Sequence, residues 1–449
     1  MNDKNIDVLA NQPISKALLS LSLPATIAMA VNSLYNIIDT IFIGQYVGQL
    51  GIAGLSIAFP LQTIALGIGG MFGMGGASLI SRQLGKNHKE KANTTLVTTI
   101  AFCLIVSLGY ALVGTIFINP ILRAFGASET IFPYAYAYMK IIFPGFVFFM
   151  MGICLNNIIR SEGAARTSMN GILIGAVGNI ILDYLLISKL NMGIEGGAIA
   201  TVISQVMAAI YLVMHYLRHK SIFSLSLRYL RFQMKLFWDI VSIGSSAFIV
   251  QAGNSILALI LNNSLGYYGG DIMVSVYGVI NKVSSFMVLP MIGIRQGAQP
   301  IIGYAYGAKN LGRLHKAIST AIKIMIFYGL ASFVILEVFA PQVFYLFASD
   351  NELVQAGTLP LRLVIVMIPL FPIAILTSSL FQSIGYARQA LLTSLIKIIA
   401  VIPLVYLCAK LLGTMGIFIS LPLADLVTIA ISYALLKDIL NRFKNLETI

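Results

Sequence analysis

Residues 94–118 read TTLVTTIAFCLIVSLGYALVGTIFI, twenty-five consecutive positions without a charged side chain. As a helix this stretch would be about 37 Å long, more than the roughly 30 Å hydrocarbon core of a bilayer. Its apolar residues run continuously instead of occupying every second position, the pattern of a spanning helix and not of a barrel strand. The same pattern recurs in both directions. Twelve stretches qualify: 18–44, 51–80, 94–118, 132–158, 169–188, 196–217, 240–265, 272–303, 317–339, 356–384, 390–411 and 415–436. The longer ones imply tilt or extension beyond the lipid. Composition agrees, since 58% of the 449 residues are hydrophobic and 10% charged, whereas soluble domains carry roughly 25% charged residues. A cytosolic enzyme, a disordered chain and a secreted disulfide scaffold are excluded together. Cys103, Cys154 and Cys408 lie inside apolar stretches and read as packing residues. The expected fold class is an all-α polytopic membrane protein.

The formal charge of +13 reports topology before it reports a partner. Of the 29 Lys and Arg, 20 fall on one side of the twelve-span scheme, against only Arg123, Lys189 and Lys410 in the opposite loops. The positive-inside rule then places both termini in the cytoplasm. These charges are spread over separate segments and form no basic face for nucleic acid. No small-residue cleavage pattern follows the first apolar run, so the first span is expected to remain as a signal anchor.

Compared with itself, the chain shows one recurrent offset of 222 residues. Asn32-Ser33 recurs as Asn254-Ser255, Gly75 as Gly297, Gly85 as Gly307, and Gly163-Ala-Ala-Arg166 as Gly385-Tyr-Ala-Arg388. Six spans per repeat is an even number, so both halves enter the membrane in the same sense. The expectation is two pseudo-symmetric six-helix bundles, residues 1–217 and 236–449, joined by a basic linker at 218–235. Such bundles enclose a cavity that rocking exposes to either side. The spacings Gly69-xxx-Gly73-xxx-Ala77 and Gly171-xxx-Gly175 suit close helix packing.

Ionisable residues inside a membrane are costly and are functional candidates by default. Of 16 carboxylates, Asp39, Asp183, Glu337 and Asp425 lie clearly within spans. Glu337 reads as a solvated residue at an outer helix end. Asp425 can neutralise Lys397 on the preceding span or take part in transport. Asp39 and Asp183 sit at similar depth near the outer ends of the first and fifth spans, with Asn179 one turn from Asp183 and Thr201 at the same level on the sixth. Two carboxylates, an amide oxygen and a hydroxyl form a hard-oxygen set suited to a proton relay or a small cation. At the 222 offset Asp39 becomes Leu261 and Asp183 becomes Val405, so the second repeat lacks the pair. There is no phosphate-binding loop, which makes transport secondary, and no nucleophile and base constellation, which argues against an enzyme. His215 and His219 have metal-ligand spacing, but with no carboxylate or cysteine beside them they read as a solvated face.

Ser22-Leu-Pro24, Asn36-Ile-Ile-Asp39, Gly85-Lys86, Arg160-Ser-Glu-Gly163, Asn179-Ile-Ile-Leu-Asp183 and Gln296-Gly-Ala-Gln-Pro300 together resemble the bacterial multidrug and toxic compound extrusion family over nearly the whole chain. The resemblance implies two six-helix lobes in a bacterial plasma membrane and efflux of mostly cationic, amphipathic drugs in exchange for H+ or Na+. No cofactor is implied. The match looks closest to the branch whose cation site lies in the N-lobe, whose motif positions correspond to Asp39, Asn179, Asp183 and Thr201. It also implies a bend near Pro24 and an approach of Asn157 to substrate. Leu261, Asn262 and Asn263 depart from the branch that uses C-lobe carboxylates. Tyr35, Met71 and Met287 join Pro24 and Asn157 as candidate substrate contacts, with Met74 and Met291 beside them, since methionine and aromatic surfaces suit varied cations. The expected partners are small-molecule drugs and membrane lipids, with the chain acting as a monomer. The competing reading is a flippase for lipid-linked sugars, for which Lys140, Lys282, Arg295, Arg362 and Lys397 would face an anionic headgroup.

Overall fold

The computed structural model describes residues 3–218, 221–346 and 351–447, and these are almost entirely helical. In chain order the helices are α1 (Asp3–Ala10), α2 (Ile14–Tyr46), α3 (Gln49–Gly85), α4 (Lys89–Ile116), α5 (Ile118–Ala124), α6 (Phe132–Ser161) and α7 (Ala165–Asp183). They continue with α8 (Gly193–Leu217), α9 (Met234–Gly307), α10 (Leu311–Val338), α11 (Ala340–Tyr345), α12 (Asn351–Ile365), α13 (Phe371–Ile384) and α14 (Ala387–Glu447). Among the described residues ten helices are long and apolar enough to span a membrane. Two of these are double. α9 has 74 residues and leaves helical geometry at Gly270, and α14 has 61 and leaves it at Gly413. Both glycines fall in the polar breaks that separate apolar stretches in the sequence. Each double helix is therefore a hairpin of two spans, and the fold is a twelve-helix membrane protein. α12 and α13 form one interrupted span, broken where Pro369 and Pro372 remove main-chain donors.

The repeat is visible in the backbone. Left-handed φ angles occur at Gly48 and Gly270, Asn87 and Lys309, Gly163 and Gly385, and Asn191 and Gly413, each pair separated by the same 222 residues. The short helices α5 and α11 also begin at that separation. Two hydrophobic cores result. One holds Phe72, Tyr138, Phe143, Phe146 and Tyr216; the other holds Met325, Phe344, Leu376 and Phe418, and also receives Ala17, Leu18 and Leu21 from the start of α2. The small-residue spacings do pack closely: Gly69 and Gly73 lie against the α6 backbone, and Gly171 and Gly175 lie against Leu212 and Ala208 of α8.

The bundles meet along a seam on the half of the molecule nearer the face that carries both chain ends, here called the terminal face. Gly244 approaches the Met71 backbone, and Gly75 the Ile240 carbonyl, so closely that a Cβ would overlap main-chain atoms. Nearer the terminal face Gly85 meets Tyr304 and Gly307, while Gly307 meets the Arg82 backbone. Ser78 Oγ donates to the carbonyls of Gln382 (2.5 Å) and Ser383 (3.3 Å), and Arg82 donates to that of Ile384 (3.3 Å). Arg313 fastens α1 by donating to the carbonyls of Val8, Leu9 and Gln12. On the opposite half Leu34, Ile37 and Ile41 of α2 are exposed, and no hydrogen bond joins the bundles there among the described residues.

One expectation is corrected. His215 does not lie on a solvated face: it is buried, with Nε2 3.0 Å from Glu162 Oε1, and Ser221 Oγ donates to the other Glu162 oxygen. The α6–α7 turn is covered by α1 and by the segment after α8, which buries a carboxylate that the span boundaries placed in a loop. His219 lies outside the described residues. Glu162→Leu should lower stability by about 1–3 kcal/mol by stranding His215. Glu129→Leu, which breaks the exposed pair with Arg123, should change it by less than about 1 kcal/mol. Thermal unfolding in nanodiscs reads both, and equal midpoints for the two variants would refute the assignment.

Candidate ion and substrate site

α2 and α7 each carry two polar residues one helical turn apart, Tyr35 with Asp39 and Asn179 with Asp183, so each pair shares a helix face. α7 ends at Asp183, and the chain continues as a π-helical turn over Tyr184–Lys189. Such widened turns recur at functional sites. Thr201 comes from α8, Tyr138 from α6 and Gln62 from α3. The structure brings Asp39, Asn179, Asp183 and Thr201 into one layer of the first bundle. Asp183 is 0% and Asn179 2% exposed. Asn179 Nδ2 donates to Thr201 Oγ1 at 3.4 Å, and the Asp39 and Asp183 carboxyls are immediate neighbours.

The oxygens of this layer are undersupplied with donors. Asp39 Oδ1, Asn179 Oδ1 and both carboxylate oxygens of Asp183 are buried without a hydrogen-bond partner. Buried polar atoms are almost always paired, and an adjacent pair of carboxylates without donors calls for a shared proton or a cation. Tyr138 and Gln62, which hydrogen-bond to one another at 3.3 Å, form the neighbouring wall and were not legible in the sequence. A lone Tyr and a lone Gln in apolar runs carry no spacing signal. The positions that replace the aspartates in the second repeat, Leu261 and Val405, are buried in that bundle's apolar core.

The remaining candidates lie elsewhere. Pro24 is buried in the terminal half of α2, which remains helical through it. Asn157 lies at the seam, bonded to the Ile153 carbonyl at 2.9 Å and accepting from Arg160 at 2.8 Å. Met71 is half-buried beside Gly244, and Met287 is half-buried against the second core. Met74 is buried, and Met291 sits fully inside the second core against Gly329, away from any cleft. Three of the five cations that the flippase reading would recruit are paired: Lys140 with Glu195 (2.7 Å), Arg362 with Glu337 (3.3 Å) and Lys397 with Asp425 (2.8 Å). Glu337 is thus an ion-pair partner as well as an interface residue. Lys282 is exposed, and Arg295 lies near Arg160.

Comparison with known proteins agrees with this architecture. The MatE family model matches residues 24–185 and 246–407, two segments displaced by 222 residues. The multidrug export protein MepA of Staphylococcus saprophyticus is 28% identical over 427 residues, covering 95% of this chain and 94% of that protein. MepA of Staphylococcus aureus strain MRSA252 is 27% identical over 425 residues, with coverage of 95% and 94%. Among solved structures, a MATE protein in the bent conformation superposes with a TM-score of 0.94 at 25% identity, covering 100% of each chain. An outward-facing multidrug resistance MATE family transporter of the MOP superfamily gives 0.93 at 26% identity, covering 99% of each. With its twofold family match, twelve spans and a polar layer inside the lipid, the chain belongs to the MatE family, the multidrug and toxic compound extrusion proteins, and is a membrane transporter, not an enzyme.

Proposed function

We propose that the protein is a secondary multidrug efflux antiporter, exporting amphipathic, mostly cationic compounds in exchange for H+ or Na+ taken up at Asp39, Asn179, Asp183 and Thr201. The observation that carries this reading is the set of four buried oxygens without donors in one layer. The names of the MepA relatives support the drug class. The units are residues 1–217 and 236–449, joined by the linker 218–235, and the chain works as a monomer in a bacterial plasma membrane.

Charge asymmetry makes the terminal face cytoplasmic. The seam then closes the cytoplasmic half, and the cation layer lies toward the outside. A cation entering there draws the Asp39 and Asp183 oxygens together and so pulls α2 onto α7. Pro24 lacks a main-chain donor and supplies the flexible point in α2. Displacement of the outer half of α2 changes the wall offered to a drug, and inward return carries the ion. The membrane potential adds about 2.3 kcal/mol per charge per 100 mV. The flippase reading loses support because Lys140, Arg362 and Lys397 already have carboxylate partners.

In proteoliposomes, ethidium export should follow an imposed H+ or Na+ gradient. Asp39→Asn and Asp183→Asn should each reduce it by about tenfold or more, the loss of at least one charge-assisted contact, at unchanged membrane levels. Full transport by both variants would remove the mechanism. For topology, a cysteine replacing Asn191 should react with an impermeant maleimide in intact cells, and one replacing Lys309 only after permeabilisation. The native Cys103, Cys154 and Cys408 are buried and give a low background.

A further inference from the structure

The seam contains a second polar pocket whose chemistry is the reverse of the aspartate layer. It is lined by Arg160, Ser81, Ser161 and Asn157 from the first bundle and by Gln296 and Gln299 from the second. Arg160 is 6% exposed and spends two nitrogens on neutral acceptors, the side-chain oxygens of Gln296 and Asn157. Arg295 adds a second guanidinium close enough to act on the first. Among the described residues no carboxylate pairs with either. Glu162, two residues from Arg160, is taken up by His215 and Ser221. Gln299, 8% exposed and lining the same pocket, holds a buried Nε2 donor without an acceptor.

Buried charges are normally paired, and an uncompensated one inside a membrane protein is expensive. Here one buried guanidinium and an idle amide donor line a pocket, with a second, half-buried guanidinium nearby, and neither arginine has a carboxylate partner among the described residues. We propose that this pocket binds a small anionic group, a free inorganic anion or the carboxylate of a substrate, held by Arg160 and Gln299 in the field of Arg295. The donors come from both bundles, so the anion is held only while the seam is closed and favours that state. The inference does not rest on the cation-coupling proposal, and its test involves no transport.

The test is thermal unfolding of the full-length protein in phosphatidylcholine nanodiscs, titrated with choline chloride in one arm and choline acetate in the other. Choline keeps Na+ away from the aspartate layer. The wild-type midpoint should rise saturably in at least one arm. A chloride response assigns a free inorganic anion, and a response to acetate alone assigns a carboxylate. Arg160→Gln should abolish the rise, and Gln299→Leu should shift its half-saturation by about tenfold or more, the cost of one hydrogen bond to a charged group. Wild type and variant share each salt, so general screening cancels. Arg295→Gln should raise the midpoint in anion-poor buffer by relieving repulsion, while flattening the titration. If Arg160→Gln does not fold, the other two variants decide. Superimposable titrations for wild type, Gln299→Leu and Arg295→Gln, or no saturable rise in the wild type, would overturn the proposal.

Discussion

Within hydrocarbon no water completes a broken hydrogen bond, so every polar group that enters must meet its partner inside the protein. Twelve helices satisfy the main chain. Buried hydroxyls are returned to their own helices, as Thr99 to the Thr95 carbonyl, Ser204 to that of Ala200 and Thr428 to that of Ala424. Charged side chains follow the same rule across spans, as Lys397 does between Asp425 of the other α14 span and the Phe371 ring of α13. Isolated buried atoms such as Tyr216 Oη and Ser432 Oγ also lack a partner, but unpaired groups cluster around charge in two places, with opposite sign. One layer has oxygens without donors, and one pocket has a guanidinium and an amide donor without a carboxylate partner among the described residues.

The twofold plan explains why the exceptions stand out. Main-chain features repeat faithfully, down to the left-handed residues at the turns, because both halves solve the same problem of crossing lipid and reversing direction. Side chains need not repeat. Leu261 and Val405 fill apolar core where their counterparts are carboxylates. Arg160 and Gln382, related by the same displacement, have also diverged: one is a cation at the seam, and the other donates to Ser246 at 2.9 Å within its own bundle. The scaffold is symmetric and the chemistry is not.

Much of this was legible in the sequence because lipid makes depth readable. Counting residues from each span end placed Asp39, Asn179, Asp183 and Thr201 at one level, and the structure joins them. Polar breaks located the reversals at Gly270 and Gly413 even though the helices around them are otherwise continuous. Direction around each helix was harder to read. Met291 and Met287 differ by one turn, yet Met291 is sealed in the core. His215 and Glu162 are far apart in the chain, and their contact depends on how α1 and the segment after α8 cover a turn, which no periodicity encodes. The donor-rich pocket was hidden for the same reason, since its residues come from three helices in two bundles.

The hairpins of α9 and α14 reverse at single glycines on the face opposite the termini. A connection of one residue cannot stretch, so the two spans it joins must share any displacement along the membrane normal. The second bundle therefore has two pairs of spans, each tied end to end, among its six. The same shortness leaves no loop from either hairpin to overhang the cleft. Any cover for the cleft on that face must come from the longer connections, such as residues 117–131 between α4 and α6.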